Sequence, residues 1–323
     1  MITDRRQQKG AALLIVLLLA ATLSFVAMSA MQRTALAAAR ASNVSARSEG
    51  LWRALAVETL ALAAAEQFAS AENPTMSLDD EWAREPIELP LEDGAARVFF
   101  TDATACFNIN SLAVAYGDAS GDAVIAEFVR LAGFLDISDY EAAAIAEAIG
   151  DWIDQDTNRR PQGGEDEYYT ALPSPYRTGN QPMTSVTELR SVKGVSREIY
   201  GSLKPYVCAQ DSTEPSTINV NMLAERHAPL LAAILRPEAT IQTARDIIAS
   251  RPPGGYQSVE AFMTSPLVAA LKTEQSGRFS VTSRYLIARA EIVYDTALIE
   301  MTSTIEASQQ GARVIARRIG AEE

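Results

Sequence analysis

Residues 151–167 concentrate the side chains most able to do chemistry. Asp151-Trp152-Ile153-Asp154-Gln155-Asp156-Thr157-Asn158 is followed by Pro161-Gln162-Gly163-Gly164-Glu165-Asp166-Glu167-Tyr168-Tyr169, which places six carboxylates in 17 residues. Unpaired, these groups repel one another, and a hard dication reverses the sign of that interaction. Calcium accepts six to eight oxygen ligands and tolerates irregular loops, so it suits this stretch better than magnesium or zinc. Asp154, Asp156, Asn158 and Glu165 fall at positions 1, 3, 5 and 12 of an EF-hand frame, but Arg159 stands where that frame requires glycine. The sequence therefore predicts a calcium loop of another geometry, against the alternative of a solvated acidic loop.

Other chemistries find little support. The chain has one histidine, His227, beside Pro229. A lone histidine builds neither a zinc site nor a Ser-His-Asp triad with any recognisable spacing. No glycine-rich phosphate loop occurs. Carboxylates in adjacent positions read as metal ligands rather than as a glycosidase pair. The expectation is a protein that is not an enzyme. Its formal net charge of −13 repels phosphate backbones and argues against nucleic acid as a partner. Thr187–Tyr200 has the pattern of a helix-hairpin-helix with Gly194 at the turn. Its Arg190, Lys193 and Arg197 sit in an acidic chain, so the hairpin reads as structural rather than DNA-binding. The two cysteines, Cys106 and Cys208, suggest one disulfide in an oxidising compartment, or else two buried thiols.

The acidic loop lies inside a degenerate repeat. Cys106-Phe107-Asn108-Ile109-Asn110-Ser111-Leu112 is echoed by Thr217-Ile218-Asn219-Val220-Asn221-Met222-Leu223, and a Ser-Val helix start follows each copy at Ser185 and at Ser258. Asn110 to Ser185 spans 75 residues against 37 from Asn221 to Ser258, so the first copy is enlarged, and the carboxylates fall in the enlargement. Two small helical modules are predicted.

At the N-terminus, MITDRRQQKG precedes 21 uncharged residues, Ala11–Met31, long enough to span a bilayer as a helix. Arg5, Arg6 and Lys9 hold the leader inside, so the rest faces outward. Three fates of this segment are open: secretory cleavage near Ala27–Ala30, an uncut anchor, or cleavage between Gly10 and Ala11 that leaves the helix on the mature chain. Proline is absent from Ala11 to Asn73 and Gly50 is the one glycine, which predicts a single helix of about 90 Å ending near Asn73-Pro74. Arg33, Arg40 and Arg47 repeat every seven residues beyond the span, either as a solvated face or as a contact stripe between helices.

Ile87–Leu91 and Ala96–Thr101 read as a hairpin about Glu92-Asp93-Gly94. Phe279–Ala290, Glu291–Ile305 and Arg313–Arg317 read as later β-rich runs. Strands from both ends should join in one sheet that covers the outward half of the helix. The predicted class is thus α+β: a pilin-like long N-terminal helix on an antiparallel sheet, with a large inserted all-α region of two SAM-like, helix-hairpin-helix-like modules. The division is 1–10 leader, 11–31 membrane part of the helix, 32–73 its outward part, 74–105 first strands, 106–216 first module, 217–276 second module and 277–323 closing strands.

Gly10-Ala11 with its apolar helix, the Asp-Trp-Ile-Asp and Glu-Asp-Glu-Tyr-Tyr pieces of Asp151–Tyr169, Ser185–Gly194 and Ile218-Asn219-Val220-Asn221 occur in an order and spacing that resemble the minor pseudopilin K family of type II secretion systems, across nearly the whole chain. The resemblance implies prepilin-peptidase cleavage after Gly10, N-methylation of Ala11, and a single-pass inner-membrane protein with its C-terminal domain in the periplasm. It also implies assembly with minor pseudopilins I and J at the tip of a pseudopilus built of major pseudopilin on the inner-membrane secretion platform. Calcium is implied as the cofactor, with Asp154, Asp156, Glu165, Asp166 and Glu167 as ligands. Most pilins carry glutamate at the fifth mature position, where this chain has Ile15. A subunit without that glutamate has no buried amine to seek above it, which suits the first subunit of a tip. The alternative reading is a calcium-dependent, membrane-anchored periplasmic binding or adhesion protein.

Overall fold

The computed structural model describes residues 5–70, 72, 75–92, 94–113, 119–235, 237–273, 275–295 and 297–320. An alanine-rich helix, α1 (Arg5–Phe68), runs for 64 residues, about 95 Å. Its end comes at Phe68, earlier than predicted, and Asn73 and Pro74 lie outside the described residues. Side chains from Ala12 to Ser45 are almost all exposed, and from Ala46 onward one face is covered. Ala46, Gly50, Ala54, Val57, Ala61 and Ala65 recur every three or four residues along that face. Small side chains let the helix approach closely: a Cβ on Gly50 would stand 2.9 Å from Cγ1 of Ile299.

The cover is a five-stranded antiparallel sheet. A short helix α2 (Glu81–Arg84) leads into β1 (Ile87–Leu91) and β2 (Gly94–Asp102), and the sheet is completed by β7 (Tyr285–Tyr294), β8 (Ala297–Ser308) and β9 (Gly311–Ile319), in the order β1-β2-β7-β8-β9. Alternate residues Val98, Phe100, Leu286, Ala288, Ile292, Ile299, Met301 and Ile305 meet α1, as the two-residue period of a strand requires. The predicted hairpin is present, with Asp93 outside the described residues. The later runs divide differently from the sequence reading. The strand break falls at Asp295 (φ 50°) rather than between Ala290 and Glu291, because that alternation continues unbroken to Tyr294. Phe279 and Ser280 leave the sheet altogether and pair with Ile218 and Asn219.

Glu58 is the buried charge of the helix–sheet seam. It accepts a hydrogen bond from Ser303 at 2.5 Å and is clamped by the Arg317 guanidinium. Burial works against the charged form, but the bonds from Arg317 and Ser303 and the Arg317 charge outweigh it and hold the carboxyl below its ordinary range.

Between β2 and β7, which are neighbours in the sheet, the chain makes a mainly helical excursion, which differs from the all-α insertion expected by holding two short parallel strand pairs. It contains β3 (Phe107–Asn108), α3 (Ala119–Gly133), α4 (Asp139–Ile153), α5 (Asp166–Thr170), α6 (Arg197–Leu203), β4 (Val207–Cys208), β5 (Ile218–Asn219), α7 (Ala228–Leu235), α8 (Ile241–Ala249), α9 (Val259–Met263), α10 (Pro266–Ala270) and β6 (Phe279–Ser280). The repeat has a structural counterpart. β3 pairs with β4 and β5 with β6, both parallel. Asn110 exchanges two hydrogen bonds with the backbone of Met183, and Asn221 exchanges two with that of Tyr256. One continuous core, including Phe128, Ile149, Leu231 and Phe262, serves both halves. A bidentate Arg278–Glu127 pair and Arg130 bonded to the Ala233 carbonyl fasten them together.

The excursion leaves the sheet at its membrane-distal end. Phe68, at the far end of α1, packs on Phe100 near the top of β2, whereas Gly50 faces Tyr294 at the opposite end. Asp102 and Leu286 are register partners, and the Ala103 amide donates to the Tyr285 carbonyl.

Candidate metal centre

Helix α4 positions the acidic loop. Ser138 caps its N-terminus by accepting from the Glu141 amide, and Ala142, Ile145, Ala146, Ile149 and Ile153 bury one face in the core. The helix ends at Asp154, where the backbone turns extended (ψ 165°) and its N–H donates to the Gly150 carbonyl. The last two turns present carboxylates to the loop's backbone. Glu147 accepts from the Gln162 amide at 2.6 Å, and fully buried Asp151 accepts from the amide of Arg160. The close fit needs glycine at two points. A Cβ on Gly163 would stand 2.0 Å from Oδ2 of Asp151, and one on Gly150 would stand 1.4 Å from Nη1 of Arg160.

On this floor Asp154, Asp156 and Glu165 converge, with one carboxylate oxygen of each within 4.8 Å of the others. Glu165 is 5% exposed, and both of its oxygens are buried with no hydrogen-bond partner. Oδ1 of Asp154 is likewise buried and unpartnered, while its Oδ2 lies 3.3 Å from Nη2 of Arg160. Burial, reinforced by repulsion from Asp151, Asp154 and Asp156, pushes the Glu165 carboxyl up to about 7. Burial is also the main force raising Asp151 to about 6 and lifting Asp154 above its usual range. Buried acceptors without donors are costly. A cation is the natural partner, and a donor set made only of oxygen suits calcium.

Three of the five predicted ligands are thus gathered, and Asp166 and Glu167 stand apart. Glu165 is the extended N-cap of α5, whereas Asp166 and Glu167 are in its first turn, and their carboxyls do not join the group. Asp166 instead accepts from the amide and hydroxyl of Thr178 and pairs with Arg177, and Glu167 is exposed. Cys106 and Cys208 form a disulfide with a sequence separation of 102. Ile15 is exposed on the apolar part of α1, and Gly10 and Ala11 lie within the helical backbone. His227 caps its own turn: Nδ1 accepts from the Ala224 amide, and burial, with help from Arg226, pushes its pKa down to about 4. Gly194 takes the positive φ (84°) that the hairpin needs, and Arg190 and Arg197 are exposed.

Sequence reasoning missed a second repeated signature that frames the site. Arg160-Pro161-Gln162-Gly163-Gly164 matches Arg251-Pro252-Pro253-Gly254-Gly255. Each arginine donates Nη1 to the carbonyl of the repeat leucine, Arg160 to Leu112 and Arg251 to Leu223. The three converging carboxylates lie in what the first copy adds around this signature. Residues 154–159 separate α4 from Arg160, where Ser250 alone separates α8 from Arg251. Residues 165–182 separate Gly164 from Met183, where Gly255 and Tyr256 are adjacent. The Arg-Pro-x-Gly-Gly pair was the available signal.

A single helix long and apolar enough to cross a membrane, among the described residues, continues onto an antiparallel sheet that carries a helical body. That arrangement is compatible with a single-pass membrane anchor and has the layout of a pilin-like subunit. Profiles of type II secretion system protein K match residues 105–212 and 218–282. The chain is 31% identical to type II secretion system protein K of Pectobacterium carotovorum over 98% of each chain. It is 32% identical to that of Klebsiella pneumoniae over 97% of each, and 33% to that of Aeromonas hydrophila over 83% of each. The crystal structure of the GspK-GspI-GspJ complex from enterotoxigenic Escherichia coli contains a similar chain (TM-score 0.75, 29% identity), with 88% of this chain and all of that one covered. The chain belongs to the type II secretion system protein K family. It is a minor pseudopilin, a structural subunit and not an enzyme.

Proposed function

We propose that this minor pseudopilin caps the tip of a periplasmic pseudopilus, together with minor pseudopilins I and J, and helps to initiate its assembly. The observation that carries this reading is the position of the helical body, which projects from the membrane-distal end of the sheet between β2 and β7. A bulk of some 180 residues there obstructs addition of a further subunit above it while leaving α1 free to pack below. The solved complex of related subunits supports the choice of partners. On this reading prepilin peptidase cuts between Gly10 and Ala11, Ala11 is N-methylated, and α1 anchors the chain in the inner membrane until it joins major pseudopilin on the secretion platform. The two halves of the helical body act as SAM-like modules. Calcium is held by Asp154, Asp156 and Glu165, with carbonyls and water completing its shell. The two unpartnered oxygens of Glu165 support this assignment.

The test is the intact and N-terminal peptide mass of the chain extracted from native membranes. A chain beginning at Ala11, with or without a methyl group, is expected. Retention of Met1–Gly10 would overturn the assembly mechanism and favour an anchored calcium-dependent binding protein. Cleavage beyond Ala27 would make the chain a released periplasmic protein and would equally sink it.

A further inference from the structure

The two copies of the repeat provide an internal control for what the metal loop requires. Both have the arginine–leucine carbonyl bond, so that bond belongs to the module frame. Matching Ser185 with Ser258 sets Lys193 of the first copy against Pro266 of the second, which has no ammonium. The copy with the lysine is the copy with the carboxylates.

Lys193 reaches the loop from the hairpin before α6 and grips it on both sides of Glu165. Its Nζ donates to the carbonyls of Gln162 at 2.9 Å and Gly163 at 2.7 Å. Its backbone N–H donates to the hydroxyl of fully buried Tyr169 at 3.1 Å, and its ammonium lies 5.0 Å from the ring centroid of Tyr168. The stem passes over Gly164, where a Cβ would stand 3.2 Å from Cδ. Residues 162–164 lead into Glu165 and residues 168–169 lead out of it, so the ammonium fixes the approach and touches the Tyr168 ring at the exit, while the backbone of the same residue holds Tyr169.

We propose that Lys193 is the positioning residue of the calcium loop: it holds Glu165 opposite Asp154 and Asp156 whether or not the cation is bound. The proposal rests on the calcium reading of that site. Its two physical effects have opposite signs, which makes it testable. As a positive charge near the cation, Lys193 opposes calcium; as a brace, it favours calcium by holding the ligands in place.

The experiment compares full-length parent, Lys193→Met and Lys193→Arg in detergent, titrated with calcium chloride in a calorimeter. Tryptic cleavage after Arg177, whose side chain is 77% exposed, is followed by mass in chelator. Lys193→Met is expected to weaken calcium binding by roughly ten- to a hundredfold, the range for loss of a second-layer partner, and to speed the cut without metal. Lys193→Arg, which keeps a donor and the charge, should recover most of the affinity. Intact disulfide and unchanged helix content by circular dichroism mark a folded variant. Unchanged or tighter calcium binding by Lys193→Met would overturn the proposal. If the parent itself binds no calcium, the site reading falls, and the cleavage rate in chelator still decides whether Lys193 holds the loop.

Discussion

Protons and calcium should compete for the same carboxylates, and the size of that competition follows from the burial of Glu165. Its carboxyl lies at about 7 and that of Asp151 at about 6. Both are raised above their unfolded values. The stability each contributes is therefore full below the unfolded value and is lost as pH rises through the folded one. The metal-free loop is most secure in mild acid and loosens between about pH 5 and pH 8. On the calcium reading the cation needs the ionised form, so it should replace the proton and restore the loop on the alkaline side. Between pH 8 and pH 6 a ligand titrating at about 7 weakens apparent affinity about tenfold. Calorimetric titration at pH 6, 7 and 8, in buffers of different ionisation heat, gives both the affinity and the protons released. About half a proton from Glu165 should leave per calcium at pH 7. Glu165→Gln should bind calcium more weakly and lose most of the pH dependence. A calcium affinity that is flat from pH 6 to pH 8, with no proton release, would refute this account of the site.

Replacing Cys106 and Cys208 by serine frees a loop of about a hundred residues and should lower stability by about 4–5 kcal/mol on the chain-entropy scale, read from denaturant midpoints; a loss below about 1 kcal/mol would show the bridge to be incidental. Glu58→Ala leaves Arg317 and Ser303 without their acceptor, and because Arg317 is partly exposed unfolding should become easier by about 1–2 kcal/mol. Because the Glu58 carboxyl is held low, its contribution in the parent is present above the unfolded pKa and lost as pH falls through the folded one; a parent and variant that respond alike to acid would contradict this. Ile15→Glu should leave membrane insertion intact but disturb tip assembly, measured as pseudopilus formation and secretion. Unchanged assembly and secretion would remove the argument from the missing glutamate.

Features set by local chemistry were legible in the sequence, and those set by distant contact were not. Uninterrupted alanine without proline announces α1, and alternation announces the sheet, because each depends on neighbours a few residues away. The break at Asp295 depends on one residue accepting a left-handed backbone, which alternation does not record. Crowding of acidic residues pointed to the stretch where three carboxylates converge but also drew in Asp166 and Glu167, which lie in or at the start of α5 and stand apart from them. The hairpin containing Lys193 was recognisable, yet its grip on Gln162 and Gly163 joins segments some 30 residues apart. The Arg-Pro-x-Gly-Gly repeat needed only a comparison of the chain with itself.

The location of the helical body between adjacent strands sets the order of events as the chain emerges. β2 is delivered long before its partner β7, and the pair can close only after everything from Ala103 to Arg284 has emerged. Until then β2 has a bare edge and α1 an uncovered apolar face, both of which invite wrong pairing. The body has its own core and a bridge between Cys106 and Cys208, so it can mature first and bring its two ends together. Closure of the sheet then waits on the excursion, and α1 acquires its finished packing face only when the body is complete.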